Sequence, residues 1–529
     1  MALNIADLIE HAIDVVPERT AVLDERRSLR YAELEAEANR LAHWFLARGV
    51  APGEHVGILC ANSVDHVVTL VALLKMRAVP INLNYRYTAG ELGYVVDDAE
   101  LVGIVHEGRF GPLVDQVGTD GIRVRLRLPD AVPGEAVDGP GESLAEALEG
   151  RSADRDFGAR SADERYIIFT GGTTGYPKGV VWRHEDIWRT LGGGIDYRTH
   201  EYHDEYAQAR KAEQGGMVAF PLSPMMHGAG VWSMLSHLFV GDTTVLRARF
   251  DPAETWRAVA EHRVQGLFVT GDAMARPLIE LYETGGYDAS SLVAVSSSAA
   301  MFSHAVKQRW MAAFPNAFFG DSFGSTESGL LASGAQTPEG AGGPTGRIGP
   351  ETVIFDESLN LIDPDTSVGE IGIMGRRGHV PLGYWKDPAK SAGTFFERDG
   401  ERFVIAGDYV RIEEGRQMTL LGRGSGTINT GGEKVFPEEV EGALKAHPAI
   451  WDALVVGMPD ERWGERVSAL VQPRTGEQPE LGQVQDFLRT RIADFKLPRT
   501  MLLVDHLPRH ETGKANYPQA RRLLAEATG

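Results

Sequence analysis

The chain has 529 residues, enough for roughly three to four domains or lobes. Its 43% apolar and 24% charged residues are those of a water-soluble globular protein. The net charge of −21 argues against a general nucleic-acid or anionic-membrane surface, so any anionic ligand has to be gripped by a local cluster of donors.

In chain order, the first twenty residues carry Asp7, Glu10 and Asp14 and no basic start, which does not read as a signal peptide. The longest apolar run, near Val67 to Leu74, is too short to span a bilayer, so no integral membrane segment is expected. Cys60 is the one cysteine, which rules out an intrachain disulfide and fits a reducing compartment. A cytoplasmic enzyme is expected. Cys60 ends the strand-like run Val56-Gly57-Ile58-Leu59 and reads as a buried structural thiol rather than a nucleophile. Residues 33–47 have the helical period, with Leu34, Ala38, Leu41 and Phe45 on one face. A strand over 55–59, a helix over 64–76 and a strand over 78–83 make a βαβ unit, so its strands should be parallel. Residues 129–160, rich in Gly, Pro, Asp and Glu, read as a surface connection with a short helix over 143–148.

A strand, Tyr166-Ile167-Ile168-Phe169, then delivers Thr170-Gly171-Gly172-Thr173-Thr174-Gly175-Tyr176-Pro177-Lys178-Gly179. This loop suits a polyphosphate. Glycines let backbone N–H groups approach and point inward, the threonines add hydroxyl donors, and Lys178 adds a compact positive charge. It is not a Walker A loop: Pro177 precedes the lysine and Gly179 follows it, so an N–H and the magnesium-binding hydroxyl are both missing. No G-x-G-x-x-G dinucleotide fingerprint is present here either. The plain alternative is a glycine-rich surface loop.

Residues 169–180 resemble the phosphate loop of the adenylate-forming superfamily, [YF]-T-S-G-T-T-G-x-P-K-G-V, differing only at Gly171, where serine is usual. The resemblance extends over nearly the whole chain and implies an α/β fold. The large N-terminal domain, 1–425, would contain α/β subdomains and a small β-barrel-like lobe. A small mobile α+β C-terminal domain, 426–529, would follow. It implies that Thr170, Gly172, Thr173, Thr174, Gly175 and Lys178 hold the phosphates.

Downstream, Asp251 and Pro252 start a helix reaching about residue 262. Three strand-like runs, 267–269, 292–295 and 317–319, each end in small or polar residues: Thr270-Gly271-Asp272, Ser296-Ser297-Ser298 and Gly320-Asp321. Ligands of open α/β sheets sit at the carboxyl ends of strands, so these ends are the expected walls of one pocket. By resemblance, Ser298, Ala299, Asp321, Ser322, Phe323, Gly324 and Ser325 line the adenine and phosphate site, with Phe323 stacked on the base and Asp321 near its amino edge. Phe323-Gly324-Ser325-Thr326-Glu327 resembles [YF]-G-x-T-E, in which Thr326 contacts phosphate and Glu327 binds Mg²⁺; a carboxylate beside a hydroxyl is suited to that pair. Pro224-Met225-Met226-His227-Gly228 resembles the motif whose His borders the acyl pocket. Met225 and Met226 stand where amino-acid-activating domains place an Asp, so the acid is not expected to be an α-amino acid. His200-Glu201-Tyr202-His203 does not have H-E-x-x-H spacing and reads as a solvated loop rather than a metal site.

Strands over 369–375 and 403–412 fit a more antiparallel lobe. Asp408 resembles the ribose-binding carboxylate, helped by Arg423. The cluster Gly422-Arg423-Gly424-Ser425-Gly426 marks the domain boundary, and Gly426 stands at the hinge position that is usually Asp or Lys. The C-terminal module should contain helices over 438–445 and 484–492 and strands over 453–456 and 467–471. Its Gly431-Gly432-Glu433-Lys434 turn resembles the loop that borders the pantetheine tunnel of CoA. Lys514, in the Leu-Pro-Arg…Gly-Lys frame, matches the catalytic lysine.

The implied chemistry is activation of a carboxylic acid by Mg·ATP to an acyl-adenylate, then transfer to CoA. The acid would be of fatty, aryl or steroid type, and residues 182–186, 378–384 and 429–439 look most like acyl-CoA synthetases of bulky, steroid-type or medium-to-long acids. Two alternatives stand beside it: an adenylate-former with another acceptor (carrier protein, amine, or nitrite as in ATP-dependent diazotases), and a non-catalytic nucleotide-binding protein. Lys178, Glu327, Asp408 and Lys514 together argue against the latter. The oligomeric state is open, a homodimer included.

Overall fold

The computed structural model describes residues 3–118, 121–132, 139–170, 176–196, 199–300, 302–335, 345–430, 433–460, 463–509 and 515–528. Among them three sheets form. The first has fifteen strands and changes character along its width. Its parallel half runs Thr243–Val245, Val218–Pro221, Gly266–Val269, Ala294–Ser297, Phe318–Ser325. From Phe318–Ser325 outward the pairing turns antiparallel through Gly329–Ala335, Thr345–Ile348, Gln417–Arg423, Glu401–Glu413 and Ile371–Arg377. The antiparallel lobe is thus hydrogen-bonded directly onto the central sheet.

The second sheet has eight strands, with Val79–Asn82, His55–Leu59, Leu101–Glu107 and Val124–Leu128 parallel as the βαβ pattern requires. The helix between the first two, Val64–Lys75, starts at an N-cap, Ser63, whose side chain accepts from the His66 N–H. Every residue of that helix is buried, which is why its sequence reads as one apolar run without a polar face. Cys60 is buried beside it, and burial pushes its thiol pKa well up, consistent with a structural thiol. The third sheet, five-stranded, carries Ile450–Asp460 and Gly464–Pro473 against the helix Pro437–Lys445. It forms its own apolar core of residues such as Val440, Leu444, Val455 and Leu488.

Two expected strands end elsewhere. The run expected over 292–295 is Ala294–Ser297, and that expected over 317–319 is Phe318–Ser325. Cross-strand pairing explains the second shift: Gly320 to Ser325 are matched by Gly329 to Ala335, which carries the strand through small and polar residues of low intrinsic propensity.

Two imidazoles are sealed in the N-terminal part. Burial lowers the pKa of His66 to about 4 and that of His184 to about 3. His184 Nδ1 accepts the Ile5 N–H at 3.3 Å, so it is neutral in the fold. Below about pH 6.5 the unfolded chain takes up protons that the fold refuses, so stability falls as pH falls toward 4 and then 3. Each histidine adds about 1.4 kcal/mol per pH unit to that slope. His184→Gln should lower the slope of the first thermal transition between pH 6 and 4. A slope equal to that of the wild type would contradict this account.

Candidate active site

The phosphate-loop posts face each other. Arg165–Thr170 pairs antiparallel with Lys178–Arg183, and Thr170 stands directly opposite Lys178. Gly172, Thr173, Thr174 and Gly175 lie outside the described residues. Tyr176 stacks on Tyr94 with ring centroids 4.4 Å apart. Lys178 Nζ donates to Asp387 Oδ2 at 2.9 Å, and that hydrogen bond raises the lysine pKa above its ordinary value.

Two asparagines, Asn62 buried and Asn82 half-buried, fix what surrounds the posts. Asn82 donates to the Phe169 and Met226 carbonyls at 3.1 and 2.5 Å, and accepts the Phe169 N–H at 3.0 Å. Asn62 donates to the Ser223 carbonyl and accepts the Met225 N–H at 2.7 Å. Asn82 thus ties the segment 223–227 to the strand that carries the loop, and Asn62 ties it to the turn after His55–Leu59. His227 consequently stands as N-cap of the helix Gly228–Phe239. A Cβ added at Gly228 would lie 3.8 Å from Thr326 Oγ1, so His227 and Thr326 occupy one neighbourhood.

The turn that bears Thr326 and Glu327 joins Phe318–Ser325 to Gly329–Ala335. Ser325 and Ser328 bond each other's backbone N–H through their hydroxyls. Trp182 Nε1 donates to the Thr326 carbonyl at 3.1 Å, and Tyr384 OH donates to Glu327 Oε1 at 3.0 Å. Arg376, only 1% exposed, donates to the Ser328 and Leu330 carbonyls and to Glu351. Burial alone would raise the Glu351 carboxyl, but His379, Arg376 and Tyr202 hold it below its ordinary value. Tyr202 OH reaches Glu351 Oε1 at 2.8 Å, so the segment expected as a solvated loop is docked at this residue. Gly324 is required sterically, because any Cβ there would overlap the Gly329 carbonyl.

The three expected pocket walls are adjacent. Val269, Ser297 and Asp321 pair in register across three parallel strands. Ser298 Oγ donates to the Ser322 carbonyl at 3.1 Å and Ser322 Oγ to the Ser297 carbonyl at 3.2 Å. Ala299 adopts φ 67°, a conformation that costs a non-glycine residue energy and so is held by its surroundings. The two-residue strand period puts Asp321 and Phe323 on the buried face of their strand, and Ser322 and Gly324 on the more open one. Asp321 is ion-paired with Lys307, both nearly sealed from solvent. Burial raises the Asp321 pKa against the pull of that ammonium. The Phe323 ring packs with Ala332, Ile348 and Met374 in the small core of the antiparallel lobe.

Asp408 stands opposite Arg423 in register, and the side chain of Arg423 lies outside the described atoms. A Cβ added at Gly426 would meet only Pro437 Cγ, at 3.9 Å, so the backbone there is loosely surrounded. Glu433 and Lys434 begin the strand Glu433–Val435, and Lys434 is ion-paired with exposed Glu357 at the rim of the antiparallel lobe. Gly431, Gly432 and Lys514 lie outside the described residues.

The chain matches the AMP-binding enzyme family over residues 9–385 and the AMP-binding enzyme C-terminal domain over residues 439–514. The chain belongs to the AMP-binding, adenylate-forming family of acyl-CoA synthetases. Among this family's members, it is 46% identical to the 3-oxocholest-4-en-26-oate–CoA ligase of Rhodococcus rhodochrous, over 98% of this chain and 96% of that one. It is 44% identical to a medium/long-chain-fatty-acid–CoA/3-oxocholest-4-en-26-oate–CoA ligase of Mycolicibacterium smegmatis, over 99% and 97%. Of solved structures, MatB from Rhodopseudomonas palustris is 26% identical, covers 99% of this chain and is itself covered in full. Its ATP-bound form superposes with TM-score 0.84 and its apo form with 0.76.

Within this AMP-binding enzyme, Asn62, Asn82, Lys307, Arg376, Tyr384 and Asp387 bond to the candidate site residues or their neighbours, and the sequence reading assigns none of them a role. Their partners are remote: Tyr384 is 57 residues from Glu327, and Asp387 is 209 from Lys178, so no local pattern marks them. Hydrogen bonds to charged groups contribute roughly 1.5–3 kcal/mol net. Tyr384→Phe should therefore raise the Mg·ATP concentration needed for half-maximal rate several-fold while leaving the melting temperature within a few degrees. An unchanged Mg·ATP dependence would remove Tyr384 as the residue that orients Glu327.

Proposed function

We propose that this chain is an AMP-forming acyl-CoA synthetase acting on a steroid side-chain acid or a medium-to-long-chain fatty acid. The observation that carries this reading is the 46% identity, over almost the full length of both chains, to a 3-oxocholest-4-en-26-oate–CoA ligase. The fold of the site supports it, since the His227 segment and the Thr326–Glu327 turn share one neighbourhood beyond the carboxyl ends of parallel strands, and Lys178 faces Thr170 at the end of a strand in the adjoining sheet.

A carboxylic acid is ionised at neutral pH and needs no base. Its oxygen bonds to the α-phosphorus of ATP, the bond from that phosphorus to the bridging oxygen breaks, and pyrophosphate leaves. The CoA sulfur then bonds to the acyl carbon, the thiol proton is lost to solvent, and AMP departs. In such chemistry the protein positions reactants and stabilises charge. Thr170, Lys178 and the loop between them cradle the departing phosphates. Asp408 and Arg423 hold the ribose, and Ser298, Ala299 and Ser322 border the base. Lys514 bridges the carboxylate and the α-phosphate.

The residues also fit magnesium. No cluster of three or more His, Cys, Asp or Glu suited to a metal occurs among the described residues, whereas Glu327 beside Thr326 offers hard oxygen donors. That suits an ion that arrives on the nucleotide and keeps most of its ligands from phosphate and water. When bound, it neutralises charge on the phosphates.

The boundary falls at 425/426, with Gly426 as the pivot by which the C-terminal domain exchanges Lys514 for the Gly431–Lys434 segment. A cytoplasmic setting suits ATP, CoA and the single buried thiol. No helix among the described residues is long and apolar enough to cross a membrane.

A cavity of about 20 Å³, lined by residues that include Ile58, His66, Tyr166, Ile168, Met225 and Val231, adjoins the His227 segment. It holds about one water, whereas ligand pockets run to roughly 300 Å³ and above. Admission of a bulky acid here requires side chains to move, and the flexible thioether of Met225 is suited to that. With Mg·ATP and a panel of dodecanoate, a 3-oxo-steroid acid and benzoate, AMP and an acyl-CoA should form together, only when CoA is present. The steroid or fatty acid should exceed benzoate at least tenfold. AMP release with CoA left intact would redirect the reading to another acceptor.

A further inference from the structure

The C-terminal module meets the N-terminal domain on the helix Gly271–Glu283, which begins at the carboxyl end of Gly266–Val269. At the centre of that contact is a lysine with nowhere to reach water. Lys445, the last residue of the helix Pro437–Lys445, is 4% exposed. Its ammonium lies 3.3 Å from Asp452 of its own module and 3.9 Å from Asp272 of the N-terminal domain, which is itself 9% exposed. Around it the contact is cationic and aromatic. Trp451 lies between Arg276 of the N-terminal domain and Arg474 of the module, 5.2 and 5.5 Å from its ring, and Arg474 also reaches Glu280 at 3.6 Å.

Asp452 connects this contact to the C-terminal segment. Its second oxygen accepts from Arg509 Nε and Nη2 at 2.9 and 2.7 Å. Burial disfavours its charge, yet Lys445 and Arg509 together hold the carboxyl below its ordinary range. Arg509 is bridged to Ala515, so the flanks of the stretch between them are clamped to one another and to Asp452. Lys434 meanwhile sits on the rim of the antiparallel lobe, paired with Glu357.

We propose that Lys445 is a positioning residue for the adenylate-forming half-reaction: its bridge between Asp272 and Asp452 selects the domain arrangement seen here. The inference rests on the acyl-CoA synthetase reading. Rotation of the module must pull Lys445 from Asp272, so this buried, weakly screened pair counts in one half-reaction only. Removal of the ammonium leaves neither carboxylate stranded, because Asp272 keeps Arg276 at 3.4 Å and the Ser303 N–H at 2.8 Å, and Asp452 keeps Arg509.

The test separates the half-reactions, with dodecanoate and pyrophosphate exchange for the first and preformed dodecanoyl-adenylate plus CoA for the second. Lys445→Met should slow exchange by about tenfold, a shift within the range of coupling between contacting charges, and leave thioester formation unchanged or faster. Lys445→Arg should restore exchange. Asp272→Asn should slow exchange likewise, and the double variant should be no slower in exchange than either single one. Equal losses in both half-reactions, or exchange at the wild-type rate in folded Lys445→Met and Asp272→Asn proteins, would overturn the assignment. A wild-type protein that forms no adenylate from any acid would instead overturn the enzyme reading on which it rests.

Discussion

Hydrogen bonding keeps Gly266–Val269, Ala294–Ser297 and Phe318–Ser325 parallel and in register, so Val269, Ser297 and Asp321 stand on one line. Everything else at the site is attached to that line. The last strand leaves it by turning back on itself through Thr326 and Glu327, which is where the sheet passes from parallel to antiparallel pairing. The phosphate-loop hairpin belongs to the other large sheet, and buried and half-buried polar side chains draw it in. Asn82 holds the His227 segment against it, Asn62 secures the same segment from the neighbouring turn, and Trp182 and Tyr384 hold the Glu327 turn. Buried polar groups cost energy when unpaired. Each of these side chains therefore specifies one geometry as well as stabilising it.

Charge is distributed by the same logic. A chain with net charge −21 has no general attraction for a polyanion. Cations near the site are instead individually assigned: Lys178 to Asp387, Lys307 to Asp321, Arg376 to Glu351. Such pairs are worth little where solvent reaches them and more where it does not. Lys307 and Arg376 are of the second kind, and they brace the strand and turn that line the site.

What the sequence discloses is whatever short-range physics writes into neighbouring residues. The buried helix Val64–Lys75 and the N-cap at Asp251 are both legible, because periodicity and capping are local signals. The ends of Ala294–Ser297 and Phe318–Ser325 are not, since their serines and glycines become strand only through partners supplied by other segments. The facing of the expected adenine-side residues is illegible for a related reason. Motif likeness names Asp321 and Phe323, whereas strand alternation turns both toward the interior and leaves Ser322 and Gly324 on the open side. Lys445 is invisible for the longest-range reason of all: as a residue at a helix end it looks solvated, and the fold buries it between carboxylates from both domains.

The contact between Lys178 and Asp387 gives the lysine a resting place. An ammonium that binds phosphate would, with no partner nearby, return to full hydration each time a product left. Here a carboxylate that caps the helix Pro388–Thr394 stands ready at 2.9 Å. In the proposed reaction, with Lys178 on the leaving phosphates, departure of pyrophosphate would become an exchange of one anion for another at the same cation. The enzyme would empty its phosphate cradle by competition from within, and its turnover would depend on how evenly Asp387 and the product divide the lysine between them.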